Sequence, residues 1–159
     1  MRVYPLAASR APDGGLEPFP TLYWLSCPVL FRRVAELEAA GWIKRLERRL
    51  QAEPELRAAC RADHADYIRR RWQALSGADR GRVRRRGWEK VFFSRGVAGI
   101  AGDAALKCLH AQLAFHLAAG SRIGGLLLAD FDLAGCAAPA AAGVTPAGDR
   151  DRPCPGLSA

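Results

Sequence analysis

Apolar side chains recur every three or four residues through the middle of the chain, a spacing typical of helices with one buried face. A first helix is predicted from Pro28 to Gly41, because proline suits the first helical turn and glycine suits the residue after the last. A second helix follows from Trp42, and a third runs from Pro54 to about Leu75. The third helix is expected to bury one stripe, formed by Leu56, Cys60, His64, Tyr67, Ile68 and Leu75.

The most apolar candidate helix is Asp103–Ala119, which we take as the central element of the fold. Asp103 suits its N-cap, and Gly120 suits its end. On a helical wheel of about 100° per residue, Cys108 and His110 point about 160° apart. The two side chains therefore cannot hold one metal ion if the helix includes both, and we predict no metal site. His110 is either a hydrogen-bonded core histidine or a site residue facing a cavity.

Short β-forming stretches lie outside these helices. Residues 1–7, Thr21–Leu25 and Val91–Phe93 are rich in strand formers and predict two or three short strands. The stretch Ser76–Gly87 is basic and interrupted by glycine, which predicts a mobile connection. Ile123–Leu133 predicts a short strand or a helical turn.

Composition sets the fold class and the extent of the folded part. The chain has 159 residues, of which 50% are hydrophobic and 25% charged, as in a globular domain. Residues 135–159 are dense in Ala, Pro and Gly and poor in large apolar side chains, which predicts a disordered tail. We therefore predict a single, mainly helical α+β domain over residues 1–134, with about four helices packed with two or three short strands.

Location is predicted from hydropathy and cysteine usage. No apolar run reaches the roughly 18 residues that span a bilayer, and the first residues lack the apolar core of a signal peptide. The five cysteines are odd in number, irregularly spaced and without a C-x-x-C pair, as expected of free thiols in a reducing compartment. We expect a cytoplasmic protein without a membrane role.

The net charge is +8 and comes from the middle of the chain. Between Arg32 and Lys90 there are 17 basic and 9 acidic side chains. Such a surface can bind an anionic ligand, an acidic protein partner or nucleic acid. Because 21 of the 24 basic residues are Arg, in a chain also rich in Ala, Gly and Pro, a GC-rich genome explains the same charge as solvated surface. Both interpretations stay open.

Two cysteines lie in positions that suit chemistry. Cys27 precedes the helix that starts at Pro28, and the positive end of a helix dipole favours a thiolate. It is a candidate nucleophile, although a small buried residue at a tight junction has the same pattern. Cys60 and His64 are spaced i, i+4, which suits a metal, but both lie on the predicted buried stripe, where a core cysteine beside a hydrogen-bonded histidine is the simpler explanation.

The segment Arg95–Gly99 is a candidate anion-binding loop. Glycines such as Gly96 and Gly99 let backbone N–H groups approach a phosphate or carboxylate ahead of a helix. The sequence matches neither a Walker motif nor a dinucleotide fingerprint. A purely structural loop is the alternative.

Three blocks, Phe19–Pro28 (FPTLYWLSCP), Arg95–Ile100 (RGVAGI) and Leu106–Ala118 (LKCLHAQLAFHLA), resemble the DUF501 family. The patterns of that family run FPTLYxLTCP, RGVGGI and VKCLHAxxAHxLA, and the resemblance covers about residues 17 to 125. It implies a cytoplasmic bacterial protein with no established activity, often encoded close to cell-division and exopolyphosphatase-type genes.

Carried over residue by residue, the family's Cys-Pro falls on Cys27-Pro28, its Arg-Gly on Arg95-Gly96 and its Lys-Cys-Leu-His on Lys107–His110. Ala98 stands where the family usually has Gly, and Phe115 where many members have His. Because Phe115 cannot bind a metal, this departure argues against a metal site.

The leading functional prediction is a binding or interaction module for an anionic ligand or partner, with the basic middle helices as its contact face. The alternative is a small enzyme acting on a phosphorylated or otherwise anionic substrate, which requires the three blocks to converge on one pocket. The candidate anion-binding residues are Arg95, Gly96, Gly99 and Lys107, and the candidate catalytic residues are Cys27, Cys108 and His110. A third interpretation makes the motifs determinants of the fold alone, and no cofactor is assigned.

Overall fold

The computed structural model describes residues 1–9, 15–131 and 133, so the predicted tail at 135–159 lies outside the described residues. Within them the fold is mainly helical, as predicted, but it contains seven α-helices rather than about four. The strands are β1 (Leu6–Ala8) and β2 (Leu16–Pro18), the helices are α1 (Pro28–Ala39), α2 (Trp42–Ala52), α3 (Pro54–Ala74), α4 (Gly77–Arg85), α5 (Glu89–Ser94), α6 (Leu109–Ala119) and α7 (Arg122–Asp130), and a 3-10 turn covers Val97–Gly99.

The first three helices begin where the sequence predicts. Pro28 and Pro54 occupy the first turns of α1 and α3, and Gly41 separates α1 from α2 with a left-handed backbone at φ 80°. The longest helix, α3, has 21 residues and is strongly charged. Among the described residues, no helix combines the length and the apolar character needed to cross a membrane.

Two stretches predicted to be non-helical are helices. The predicted connection Ser76–Gly87 is mostly α4, which is capped because the Ser76 hydroxyl accepts a hydrogen bond from the Asp79 N–H at 3.1 Å. The predicted strand Val91–Phe93 lies within α5. The stretch Ile123–Leu133 is largely α7, longer than the predicted helical turn. Val91–Phe93 and Ile123–Leu133 are short apolar runs, which do not reveal a period. Helix α4 has Val83 as its only large apolar residue and therefore shows no apolar stripe.

The predicted strand Thr21–Leu25 is also absent from the described sheet, which consists of β1 paired antiparallel with β2. Tyr23 makes only an isolated antiparallel bridge with Arg2. The Leu22 N–H donates to the Tyr67 hydroxyl at 2.6 Å and so is not available to a neighbouring strand. This contact ties the segment to α3 instead of to a sheet.

The central helix begins six residues later than predicted, at Leu109. Asp103 does not cap it, because its carboxylate pairs with two arginines of α3 at 3.0 and 3.1 Å. The Leu106 N–H donates to Glu47 at 3.0 Å, which holds the preceding segment outside the helix. The Leu109 N–H donates to Glu38 at 2.6 Å. A carboxylate of α1 therefore serves as the cap of α6.

The largest core cluster lies between α1, α2, α3, α6 and α7. Its fully buried members are Leu30, Val34, Leu46, Leu50, Leu56, Cys60, Leu106, Leu109, Leu113, Ile123, Leu127 and Leu133. Helices α6 and α7 pack closely because Gly124 has no side chain, and a Cβ there would lie 2.2 Å from the Cβ of His116. This packing fixes α6 against the rest of the molecule, with its N-terminus beside α1.

Candidate functional site

A cavity of about 460 Å³ opens beside the N-termini of α1 and α6. Its lining is mostly apolar and aromatic and consists of Pro20, Thr21, Tyr23, Trp24, Leu25, Phe31, Ala98, Lys107, Cys108, His110 and Ala111. All of these except Phe31 belong to the three blocks FPTLYWLSCP, RGVAGI and LKCLHAQLAFHLA. The fold thus brings together segments that lie far apart in the chain.

His110 is both hydrogen-bonded and part of the cavity wall, so the two predicted alternatives apply together. Its Nε2 lies 3.0 Å from the carbonyl oxygen of Phe31, and its Nδ1 lies 3.2 Å from a carboxylate oxygen of Glu38. The imidazole also packs on the Phe31 ring, with centroids 4.3 Å apart. Because a carbonyl oxygen can only accept a hydrogen bond, Nε2 carries a proton.

Cys108 lies on the same side of the molecule as His110, contrary to the helical-wheel argument. That argument required both residues to be helical, but Cys108 is the N-cap of α6 and has an extended backbone, with φ −149° and ψ 117°. As a result, donor atoms of Glu38, Cys108 and His110 all lie within 4.8 Å of one another.

The Cys108 thiol is a weak nucleophile as it stands. Burial raises its pKa, and the neighbouring Glu38 carboxylate adds to this shift through its negative charge. A thiol with a raised pKa is protonated at neutral pH, and only the thiolate attacks or binds metals. A chemical role for Cys108 therefore requires something that removes its proton.

Lys107 is exposed at the rim of the cavity. Its ammonium makes no hydrogen bond or ion pair with any residue in the described part of the chain. An unpaired cation beside an apolar cavity is a suitable contact for an anionic group.

Cys27 and Arg95, two further candidates, do not line the cavity. Cys27 is the N-cap of α1, as predicted, and its half-buried side chain packs against the main core. Arg95 is exposed, and its backbone carbonyl accepts a hydrogen bond from buried Arg71 at 2.6 Å. Each of the three sequence blocks contributes residues to the cavity, but the side chains of Cys27 and Arg95 lie outside it.

The glycine loop uses its backbone donors internally, so the predicted anion cradle is not formed. The N–H groups of Gly96 and Gly99 donate to the carbonyls of Ile100 at 2.7 Å and Gly96 at 3.0 Å. The Val97 N–H donates to His64 Nδ1 at 3.0 Å. Gly96 is needed for close packing, since a Cβ there would lie 2.2 Å from His64 Nδ1.

Cys60 and His64 form the buried pair that the core interpretation predicts. His64 Nε2 lies 3.6 Å from the Cys60 sulfur. Since His64 Nδ1 accepts the Val97 N–H, the ring proton is on Nε2 and points to the sulfur. Burial raises the pKa of Cys60 to about 11 and lowers the pKa of His64. Both groups are neutral packing elements.

Glu38 is the member of the site that sequence reasoning missed. It comes from the last turn of α1 and reaches α6 across the fold. The available signal is its spacing of seven residues from Phe31, which puts both side chains on one face of α1.

The basic surface is partly used up by internal contacts. Arg82 pairs with Asp79 at 2.7 Å, Arg49 with Glu53 at 2.8 Å and Arg70 with Asp66 at 2.6 Å. The exposed arginines 84–86 at the end of α4 have no carboxylate partner among the described residues. Arg84 and Arg86 lie over the rings of Trp72 and Trp88.

The fold and the site define a class: a small, mainly helical α+β protein with an aromatic-lined cavity whose wall carries lysine, cysteine and histidine. The chain belongs to the DUF501 family, described as proteins of unknown function, whose family model matches residues 2–128. The match confirms the family predicted from the three blocks. Comparisons with curated proteins and with solved structures found no match.

Proposed function

We propose that this protein is a binding protein for a small organic anion, which it holds in the cavity between α1 and α6. The observation that carries the proposal is the ammonium of Lys107, unpaired among the described residues, at the rim of an apolar cavity of about 460 Å³, a volume within the range of small-molecule sites. The free thiols of Cys27, Cys60 and Cys108 favour a reducing compartment, so we assign the protein to the cytoplasm.

The aromatic lining favours a ligand with an apolar body. Trp24 and Phe31 line the cavity and are 50% and 53% exposed. Large apolar side chains clustered at a concave surface mark binding sites, and burying them contributes about 25 cal/mol per Å². A planar or aliphatic body of the ligand would cover these rings.

The polar groups of the cavity favour Lys107 as the contact for the anion. His110 already faces the Phe31 carbonyl and the Glu38 carboxylate, and the latter repels a second anion. Lys107 has no such partner in the part of the chain that the structure describes, so a carboxylate, sulfonate or phosphate can accept a charge-assisted hydrogen bond from it. Cys27 and Arg95 have no part in this proposal, because neither lines the cavity.

The test compares two fluorescent probes of nearly the same shape, anilinonaphthalene sulfonate and its neutral analogue N-phenylnaphthylamine, on protein treated with EDTA. We expect the wild-type chain to prefer the sulfonate. Lys107→Gln should weaken sulfonate binding about tenfold, the low end for a hydrogen bond to a charged group, and should leave the neutral probe unchanged.

Lys44→Gln is the matched control, because it removes the same charge from an exposed position outside the cavity. It should change both affinities by less than about twofold, as a screened distant charge does. Equal sulfonate affinities in Lys107→Gln and Lys44→Gln would reject the proposal.

A second candidate function is polyanion binding by arginines 84–86, favoured by their exposure and their lack of a carboxylate partner among the described residues. Duplex DNA is the probe, with affinity measured by fluorescence anisotropy over a salt series. Replacing all three arginines by Gln should reduce the slope of log K against log salt by about 2.7, since each phosphate contact contributes about 0.9. The control replaces exposed Arg32, Lys44 and Arg48 by Gln. If the two triple variants lower the slope equally, the proposal that arginines 84–86 bind DNA is rejected.

A further inference from the structure

Three side chains with different donor atoms come together at the N-terminus of α6, and two of them line the cavity. The Glu38 carboxylate comes from α1, and Cys108 and His110 come from the N-terminus of α6. One oxygen, one sulfur and one nitrogen atom of these groups all lie within 4.8 Å of one another. The three residues are half-buried, so the group is neither a solvated acidic cluster nor a lone cysteine.

We propose that Glu38, Cys108 and His110 form a zinc-binding site. Thiolate, imidazole and carboxylate are the ligands that Zn²⁺ takes in proteins, with bonds of about 2.0–2.3 Å. Tetrahedral ligand atoms then lie roughly 3.3–3.8 Å apart. Atoms within 4.8 Å reach that spacing when the side chains close by about 1 Å, a change within the range of small rotamer adjustments.

Two of the three ligands are already oriented by neighbouring groups. The Nε2–H of His110 donates to the Phe31 carbonyl at 3.0 Å, which leaves Nδ1 as the nitrogen that faces Glu38. The Leu109 N–H donates to Glu38 Oε1 at 2.6 Å and fixes that carboxylate. Such outer hydrogen bonds fix the tautomer and the orientation of metal ligands in known sites. The geometry is therefore prepared before any ion binds.

Three protein ligands leave the fourth tetrahedral position open, as in catalytic zinc sites. Because Cys108 and His110 line the cavity, that position faces the space assigned to the anionic ligand. Binding releases the Cys108 thiol proton to solvent, since only a thiolate binds the ion. The site rests on these donors alone and does not depend on anion binding by Lys107.

The test is a titration of the full chain with Co²⁺, which takes the same ligands as Zn²⁺ and absorbs light. We expect saturation at one ion per chain, with a sulfur-to-cobalt charge-transfer band and the intense visible bands of tetrahedral Co²⁺. Added Zn²⁺ should bleach the spectrum. A wild-type spectrum at saturating Co²⁺ without the charge-transfer band overturns the proposal and needs no variant.

Variants then locate the ion. Cys108→Ser should lose the charge-transfer band. Glu38→Gln should weaken Co²⁺ affinity by at least about 100-fold, because replacing residues that only contact the metal ligands already costs about 10–100-fold. The amide oxygen of this variant can still accept the Leu109 N–H. Cys27→Ser, at a similarly half-buried N-cap, should keep the wild-type spectrum. A band that persists in Cys108→Ser, or wild-type affinity in Glu38→Gln, would contradict the assignment.

Discussion

The backbone of Ala98 lies in the left-handed region, with φ 57° and ψ 20°, inside the 3-10 turn that borders the cavity. A side chain makes this conformation unfavourable by about 1–2 kcal/mol, whereas glycine adopts it freely. The pattern RGVGGI, which this segment resembles, has glycine at this position, and this chain has the strained residue instead. The strain is local, because the rest of the turn is held by internal hydrogen bonds.

We predict that Ala98→Gly raises the free energy of unfolding by about 0.5–1 kcal/mol, the relief of strain less the added entropy of the unfolded chain. Urea denaturation measures the change. Ala111→Gly makes the same substitution within α6 and should lower stability by about 1 kcal/mol. If Ala98→Gly and Ala111→Gly both lower the free energy of unfolding, the left-handed backbone of Ala98 is contradicted.

His64 makes stability depend on pH near neutrality. Burial lowers the pKa of His64 below its ordinary value of 6.5, so at pH values just below 6.5 the unfolded chain binds more protons than the folded protein. Stability is therefore complete above about pH 6.5 and falls as the pH drops toward the lowered folded-state pKa. One group can contribute at most about 1.4 kcal/mol per pH unit.

The measurement is a set of urea titrations between about pH 7.5 and 5.5, above the range where carboxylates titrate. His64→Gln keeps an acceptor for the Val97 N–H and should flatten the decline. The other two histidines remain in that variant. An equally steep decline in His64→Gln would show that His64 is not its source.

At the scale of elements, α5 depends on α3 for its position. A helix of six residues is too short to be stable alone. The guanidinium of Arg71, which is 0% exposed, donates to the carbonyls of Phe92 at 2.7 Å and Arg95 at 2.6 Å at the end of α5, and to Pro20 at 3.1 Å. Burial lowers the pKa of Arg71. Carbonyl dipoles, not a carboxylate, compensate this buried charge.

We predict that Arg71→Met lowers the free energy of unfolding by about 3 kcal/mol or more, because several buried carbonyls lose a charged donor. Arg70→Met is the matched control on the neighbouring position, where Arg70 makes a surface ion pair with Asp66 at 2.6 Å. It should cost less than about 1 kcal/mol. Equal losses in the two variants, measured by chemical denaturation, would contradict this role.

The elements that could be predicted are those whose signals lie within their own sequence. Helices α1 and α3 begin at prolines, and Gly41 ends the first of them. The start of α6 could not be found in this way, because Asp103 is taken by arginines of α3 and the cap comes from Glu38. Distant partners override the local capping preference there.

At the scale of the whole molecule, the three sequence blocks meet at one cavity. Lys107, Cys108 and His110 could be placed together from the sequence, because a single short motif carries all three, and the fold puts them on the cavity wall. Glu38 could not be placed with them, since it lies about 70 residues earlier in the chain, in a helix whose two arginines and two glutamates give no sign of a contact with α6. For Arg95 the sequence motif suggests a site residue, but its side chain does not line the cavity. Its backbone carbonyl instead accepts a hydrogen bond from Arg71.

The two proposed binding surfaces, the cavity and the arginines at the end of α4, consist of different residues. The cavity is lined by residues 20, 21, 23–25, 98, 107, 108, 110 and 111 together with Phe31, whereas arginines 84–86, which have no carboxylate partner among the described residues, lie at the C-terminal end of α4. The two surfaces share no residue, so a ligand can be assigned to one or the other from the residues it perturbs. The site of binding can therefore be identified without knowing the natural ligand.

The most direct test of the central claim is an NMR titration of the ¹⁵N-labelled protein with anilinonaphthalene sulfonate. We predict that the backbone amide signals of residues 21–25, 98 and 107–111 shift together and saturate at one affinity, while those of residues 84–86 stay in place. Shifts confined to α4, or shifts in only one of the three cavity segments, would contradict it.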